Sequence, residues 1–211
     1  YALDRANSLE IPLVVYIGIN KDCLHEEVQE RHFVFMLQGL KELDKSLQKR
    51  GLRLLAVNIS PEAGATILSK EAALVVVDRG YSRKQKLWRE EAASIMECPL
   101  IQVETDVIVP VEEASFKEEY SAATFRRRIS KKLYDFILPL NERPSLYPST
   151  YIELPLEGLS LESIPELLNK LSISSKVKAS PFYKGGTKRA KKLLKEFINK
   201  SLDSYEERGN D

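Results

Sequence analysis

The sequence predicts an α/β fold, a parallel sheet covered by helices on both faces, and three observations carry that class. Over residues 1–138, short β-branched runs alternate with longer segments of helical period. The segments between the strands are roughly 10 to 20 residues long, the length of helical crossovers between parallel strands. Beyond residue 138 the alternation stops, and proline, serine and lysine take over.

Each element follows from its local pattern. Ile11-Pro12-Leu13-Val14-Val15-Tyr16-Ile17 is a continuous apolar run of strand length. A helix follows in which Phe33, Met36, Leu37, Leu40, Leu43 and Leu47 recur at steps of three and four. Lys41, Glu42, Asp44 and Lys45 fall on its other side, and Gly51 is placed to stop it. Leu52 to Val57 is the second strand, and Ser60-Pro61-Glu62 opens a short helix with a capping residue before a first-turn proline. Ala73 to Val77 is the third strand, Tyr81 to Glu97 a helix and Pro99 to Val103 a fourth strand. Val107 to Val111 is a short strand extension whose pairing Pro110 limits. The helix from Glu118 to Ile137 puts Ala122, Phe125, Ile129, Leu133 and Phe136 on one stripe, and Trp88 in the preceding helix is most simply core.

Leu138 to Tyr151, with Pro139, Pro144 and Pro148, has the composition of an extended linker, and a short helix follows near Ile164 to Leu171. Thr187 is placed to cap a last helix with the stripe Ala190, Leu193, Leu194, Phe197, Ile198, Leu202 and Tyr205. The arrangement of the first part is three-layered and Rossmann-like, and such sheets bind ligands at the carboxyl ends of their strands. Gly18 to Cys23, Asn58 to Pro61, Asp78 to Tyr81 and Glu104 to Asp106 are therefore candidate lip residues.

With 211 residues, the chain amounts to about one and a half domains at roughly 150 residues each. Hydrophobic residues at 43% and charged residues at 30% describe a soluble globular protein, and no apolar run approaches the roughly 18 to 20 residues that span a bilayer. Tyr1 to Ala6 carries no secretory signal, and the two cysteines, Cys23 and Cys98, form no CxxC pair, so the cytoplasm is the expected compartment. The net charge of +1 hides a polarised chain. Basic residues crowd Arg126 to Lys132 and Lys176 to Lys200, where Glu196 is the single acid, while acids crowd Glu26 to Glu30 and Glu112 to Glu119. Each basic run is either a solvated helix face or a phosphate-binding surface.

Motifs for chemistry are sparse. Neither GxGxxG nor GxxxxGK[ST] occurs. Gly185-Gly186-Thr187 could hold a phosphate at a helix start, but a flexible entry and cap is the simpler reading. His25 and His32, with Cys23 nearby, fall short of the three or four ligands a metal site needs, so no metal is expected. No GxSxG and no Cys and His pair marks a nucleophile, so no catalytic residue is assigned in this chain.

Four segments nevertheless resemble one family in order. Glu30-Arg31-His32-Phe33-Val34-Phe35-Met36-Leu37-Gln38-Gly39-Leu40 with Leu43 is similar to the "RHYxFMLxGLxE" helix of class II cyclobutane pyrimidine dimer photolyases. Val77-Asp78-Arg79-Gly80-Tyr81-Ser82-Arg83 with Trp88-Arg89 resembles their "TDFxxLRxxxxW" segment. Val103 to Val111 with Ala114-Ser115, Lys117, Glu119-Tyr120, Arg126 and Ile129 resembles "VDAxxxVPxxxASxKxEYxxxTxRxKI". Gly185-Gly186-Thr187, Leu194, Phe197, Leu202, Tyr205, Arg208, Asn210 and Asp211 resemble the family's "GG…L..F…L..Y…RND" helix.

The resemblance implies that residues 1–138 are an antenna-type α/β domain, 139–184 an interdomain linker, and 185–211 the first helix of an all-α FAD domain. It implies FAD, with Tyr205 lining its site, a possible antenna chromophore of deazaflavin or folate type, and light-driven repair of damaged DNA by a longer monomeric protein. The family's opening "RDxRxxDN" strand and its FAD-phosphate segment are not in the sequence. Glu112-Glu113 replaces an aromatic-containing pair, Ala123 and Gly209 stand where arginine is usual, and Arg127 replaces a proline. Two other readings stay open from the sequence: a non-catalytic photolyase-like module binding a chromophore, nucleotide or protein, and an unrelated nucleotide-binding α/β domain.

Overall fold

The computed structural model describes residues 1–21, 28–139, 142–173 and 177–208, so Cys23, His25, Lys176 and the stretch 209–211 lie outside the described residues. In chain order the elements are α1 (Ala2–Ser8), β1 (Val14–Gly18), α2 (Glu30–Lys49), β2 (Arg53–Val57), α3 (Pro61–Ser69), β3 (Val75–Asp78), α4 (Arg83–Ile95), β4 (Leu100–Val103), α5 (Val111–Ala114), α6 (Ala122–Phe136), α7 (Ile164–Lys170), α8 (Thr187–Lys200) and α9 (Tyr205–Arg208). They fall into two units, Tyr1–Ile11 with Glu62–Leu146, and Pro12–Pro61 with Tyr147–Asp211.

In the second unit β1 and β2 run parallel, Val14 opposite Arg53 and Gly18 opposite Val57, with α2 as the crossover. Helix α2 starts where the Gln29 amide donates to His32 Nδ1 at 2.9 Å and stops before Gly51, whose φ of 74° an L side chain rarely adopts. Its stripe Phe33, Leu37 and Leu40 is buried with Ile19, Ala56, Leu159, Leu161, Leu167 and Leu171. Four of these core residues therefore come from beyond residue 150, from the expected linker and its short helix. Ser149 anchors that segment. It is fully buried, its hydroxyl donates to the Leu13 carbonyl at 2.6 Å and accepts from the Arg53 amide at 2.9 Å, and its own amide donates to the Gly51 carbonyl at 2.8 Å. One side chain thus ties the starts of both strands.

In the first unit β3 and β4 are parallel, Val75 opposite Leu100 and Asp78 opposite Val103, with α4 between them. Ser82 caps α4 reciprocally with Gln85: the Gln85 amide donates to Ser82 Oγ at 3.3 Å and the Ser82 amide to Gln85 Oε1 at 3.2 Å. Asn7 of α1 clasps the chain near Pro144, donating to its carbonyl at 3.1 Å and accepting from the Leu146 amide at 3.0 Å. Helix α6 buries no residue fully, and its stripe is only half covered.

The α/β class with parallel strands stands, and several details differ from expectation. Among the described residues β1 pairs with β2 in one unit and β3 with β4 in the other. Val107 to Val111 is not a strand. Pro110, with φ −53°, instead opens the short helix α5, because its ring presets a helix entry. Thr187 is not the cap of α8; Gly186 is, with φ 114° and no side-chain acceptor. Helix α8 also ends at Lys200 and does not run through Leu202, since the Phe197 carbonyl accepts from both the Ser201 and Leu202 amides and closes the last turn. Trp88 is half-buried beneath Lys84, whose ammonium lies 5.6 Å from the ring centre, and not in the core.

Ser149→Ala leaves the Leu13 carbonyl and the Arg53 amide without their buried partner. Urea unfolding is expected to show a loss of about 1–3 kcal/mol with an unchanged denaturant slope.

Candidate functional site

At the carboxyl ends of β3 and β4 the lip residues meet one another. Asp78 Oδ1 accepts from Thr105 Oγ1 at 2.8 Å. Arg79 forks onto both carboxylate oxygens of Glu112 and lies 3.3 Å from Glu104 Oε2. Glu104, largely buried, also accepts from Tyr81 Oη at 2.5 Å and from the Val111 amide at 3.1 Å. Arg89 donates to the Gly80 carbonyl at 2.8 Å. Bidentate guanidinium and carboxylate pairs are the strong end of charged hydrogen bonding. Here they pin α5 over the strand ends.

The titration behaviour follows from these partners. Arg79 is held further toward its charged form, first by Glu112 and then by Glu104. Glu112 is lowered from 4.5, chiefly by Arg79. The Tyr81 phenol is pushed up to about 12, chiefly because it donates to Glu104. A ligand using these groups would have to displace an existing partner. Glu112, which departs from the family word, is thus the residue that closes this end.

The other half of that acidic run is equally engaged. Lys132 donates to the Glu113 carbonyl at 2.6 Å, and Arg128 Nε lies 2.7 Å from Glu119 Oε1. Glu119 also accepts from Ser115 Oγ at 2.8 Å, which is the main reason its carboxyl is lowered, with Arg128 contributing. An open cleft of about 320 Å³ lies here, with Val111, Ser115, Lys117, Ser121 and Phe125 in its wall. Ala123 and Arg127 both sit at exposed positions of α6.

At the carboxyl ends of β1 and β2, the chain after β2 folds back on β1. The Ile19 amide donates to the Val57 carbonyl at 2.8 Å, and Tyr16 Oη to the Ser60 carbonyl at 3.3 Å. His32 is committed to the start of α2, and no cluster of three metal-binding side chains occurs among the described residues.

The first and last family words meet in the second unit. The Gly185 amide donates to Gln38 Oε1 at 2.7 Å and the Lys188 amide to Glu42 Oε2 at 3.1 Å. A Cβ on Gly185 would fall 1.9 Å from the Phe35 carbonyl oxygen, and one on Gly186 2.6 Å from the Glu42 carboxylate. The anion at the start of α8 is therefore Glu42, not a bound phosphate. Gln38 and Glu42 were missed as functional residues by sequence reasoning; the signal that could have found them is a polar residue on either side of Gly39 in an otherwise apolar word. Tyr205, on α9, is 58% exposed, and its ring meets Phe197 edge-on with centres 5.7 Å apart. Leu194, Ile198 and Leu202 nearby in sequence are exposed as well.

The fold is shared with two solved structures. It matches the cryptochrome of Synechocystis sp. PCC6803 with a TM-score of 0.73 at 20% identity, over 98% of this chain and 45% of that one. It also matches the photolyase from Sulfolobus tokodaii, solved with two FAD molecules, with a TM-score of 0.59 at 18% identity, over 87% of this chain and 39% of that one. The chain belongs to the DNA photolyase family, whose model matches residues 1–145. It is 37% identical, over its whole length, to the deoxyribodipyrimidine photo-lyase of Methanothermobacter thermautotrophicus and spans 45% of that protein. It is 29% identical to that of Arabidopsis thaliana, over 70% of this chain and 30% of the relative. The chain thus spans less than half the length of the curated relatives it matches. Membership overturns the reading as an unrelated nucleotide-binding domain.

Two titrations test the strand-end network. The tyrosinate absorbance of wild type minus Tyr81→Phe is expected to rise with a midpoint near 12 and not near the ordinary 10. Because Glu112 is lowered in the folded state, its pairing stabilises the fold above pH 4.5 and is lost as pH falls through its lower folded value. Chemical unfolding is accordingly expected to show Arg79→Met less stable than wild type at pH 7, with the gap narrowing steadily below pH 4.5.

Proposed function

We propose that this chain is the amino-terminal part of a class II photolyase, a carbon-carbon lyase that splits cyclobutane pyrimidine dimers in DNA by light-driven electron transfer from reduced FAD. The observation that carries the reading is the match to a deoxyribodipyrimidine photo-lyase across all of this chain, from the α/β region through α8 and α9. In this reading residues 1–138 form the antenna-type domain, 139–184 the connection, and 185–211 the first helix of the FAD domain.

Reduced FAD, when bound, supplies the electron that opens the dimer. Tyr205 would line its site, with the exposed apolar side of α8 forming part of the same wall. Lys188, Arg189, Lys191, Lys192 and Lys195 would attract DNA phosphates and fix register without reading sequence. The lesion would be flipped out of the duplex, the general solution for chemistry on a stacked base. An antenna chromophore of deazaflavin or folate type would have to sit away from the Arg79, Glu104 and Glu112 network, whose groups already serve one another. The protein would act as a monomer in the cytoplasm; no described helix is long and apolar enough to cross a membrane.

The longer protein, purified with reduced flavin, is expected to remove dimers from an irradiated oligonucleotide only under blue or near-ultraviolet light. Tyr205→Ala should weaken flavin retention by up to about tenfold, the scale of one aromatic contact. Repair in the dark, or a flavin-loaded protein inert in light, would sink the reading.

A further inference from the structure

Helix α8 carries exposed apolar residues along its length, Leu193, Leu194 and Ile198 being between 46% and 57% exposed, and none of its residues is buried. Its own cap residue, Gly186, offers no side-chain acceptor. What holds its start is α2. Gln38 accepts the Gly185 amide, Glu42 accepts the Lys188 amide, and the two glycines let the backbone sit directly on the α2 surface. A carboxylate on a first-turn amide is an N-cap supplied from a different helix, at the end of the helix dipole that favours negative charge. At its other end α8 passes Phe197 edge-on to Tyr205, with the ring planes 84° apart.

We infer that Gln38 and Glu42 are positioning residues: they set the direction in which α8 leaves α2, and through Phe197 they set where Tyr205 stands. This rests on the proposed role of Tyr205 at the flavin, and it adds a cause for that placement. A helix of this length is about 21 Å long, so a tilt of about 5° at the Glu42 end moves the far end by about 2 Å. Errors of that size matter in a redox or photochemical site, where about 1 Å can cost a large part of the rate. The glycines of the last family word then have a mechanical reason, since any side chain at Gly185 would collide with the α2 backbone.

The longer flavin-loaded protein tests this with Glu42→Ala, Glu42→Gln and Gln38→Ala. Glu42→Ala is expected to speed hydrogen exchange of the Lys188 amide about fivefold, the factor of one lost N-cap, and Gln38→Ala to do the same at Gly185. It should also alter the visible circular dichroism of the bound flavin and lower the repair yield at saturating DNA, with little change in DNA affinity. Glu42→Gln, which keeps an acceptor oxygen, should restore most of both signals. Faster exchange with an unchanged flavin spectrum would overturn the link to Tyr205, and unchanged exchange in both single variants would overturn the latch itself. A wild-type protein that holds no flavin would count against the functional reading instead, and the exchange measurement would still decide the latch.

Discussion

The structure of the second unit depends on the burial of one helix. α2 must cover the strands with Phe33, Leu37 and Leu40, and its remaining apolar surface is closed by Leu159, Leu161, Leu167 and Leu171 from more than a hundred residues along the chain. Hydrophobic burial of this kind has no direction, so on its own it would allow the later segment to slide. Direction comes from polar contacts at two places. Ser149 bonds both strand starts, and the Gly185 turn bonds Gln38. The segment's two ends, at Ser149 and Gly185, are thus held on the strand starts and on α2. That is why a stretch with linker composition behaves as part of a core.

How much of this was legible in the sequence follows from the range of each interaction. Helix α2 was legible because its 3.6-residue period is written in adjacent turns, and β1 to β4 because short β-branched runs need no partner to be recognised. Limits were less legible. The Val107 to Val111 run has strand composition, yet Pro110 decides its fate, and the Phe197 carbonyl closes α8 before a stripe that continues through Leu202 and Tyr205. Least legible were contacts such as Glu42 with Lys188, 146 positions apart, and Ser149 with Leu13, 136 apart, because neither residue has a local pattern that announces its partner. The family words located those places without saying what they do. The geometry supplies a reason for Gly185, whose backbone lies against the Phe35 carbonyl, and for Gly186, whose positive φ and contact with the Glu42 carboxylate leave no room for a side chain.

The strand-end site shows the same limit from the side of chemistry. Fold topology correctly drew attention to Asp78 to Tyr81 and Glu104 to Asp106, since strand ends are where such sheets gather polar groups. Gathering is not the same as availability. Glu112 and the Val111 amide arrive from α5, which starts where the expected strand extension Val107 to Val111 ends, and they use the acceptors and donors that topology had reserved for a ligand.

The charges divide in a way that the near-zero net charge conceals. In the first unit the acidic run from Glu112 to Glu119 is spent locally, on Arg79, Lys132 and Arg128, so two of the five cations of α6 already face a carboxylate within 4 Å. In α8 the single acid, Glu196, stands 3.9 Å from Lys192 and leaves Lys188, Arg189, Lys191, Lys195 and Lys200 in excess. Paired surface charges are largely screened beyond a Debye length of about 10 Å, whereas an unneutralised stripe on one helix adds up along its length. The attraction for a polyanion is therefore concentrated on α8 and not shared evenly with α6. Glu42, which accepts from the Lys188 amide, adds a negative charge at the start of α8, where the helix dipole favours one.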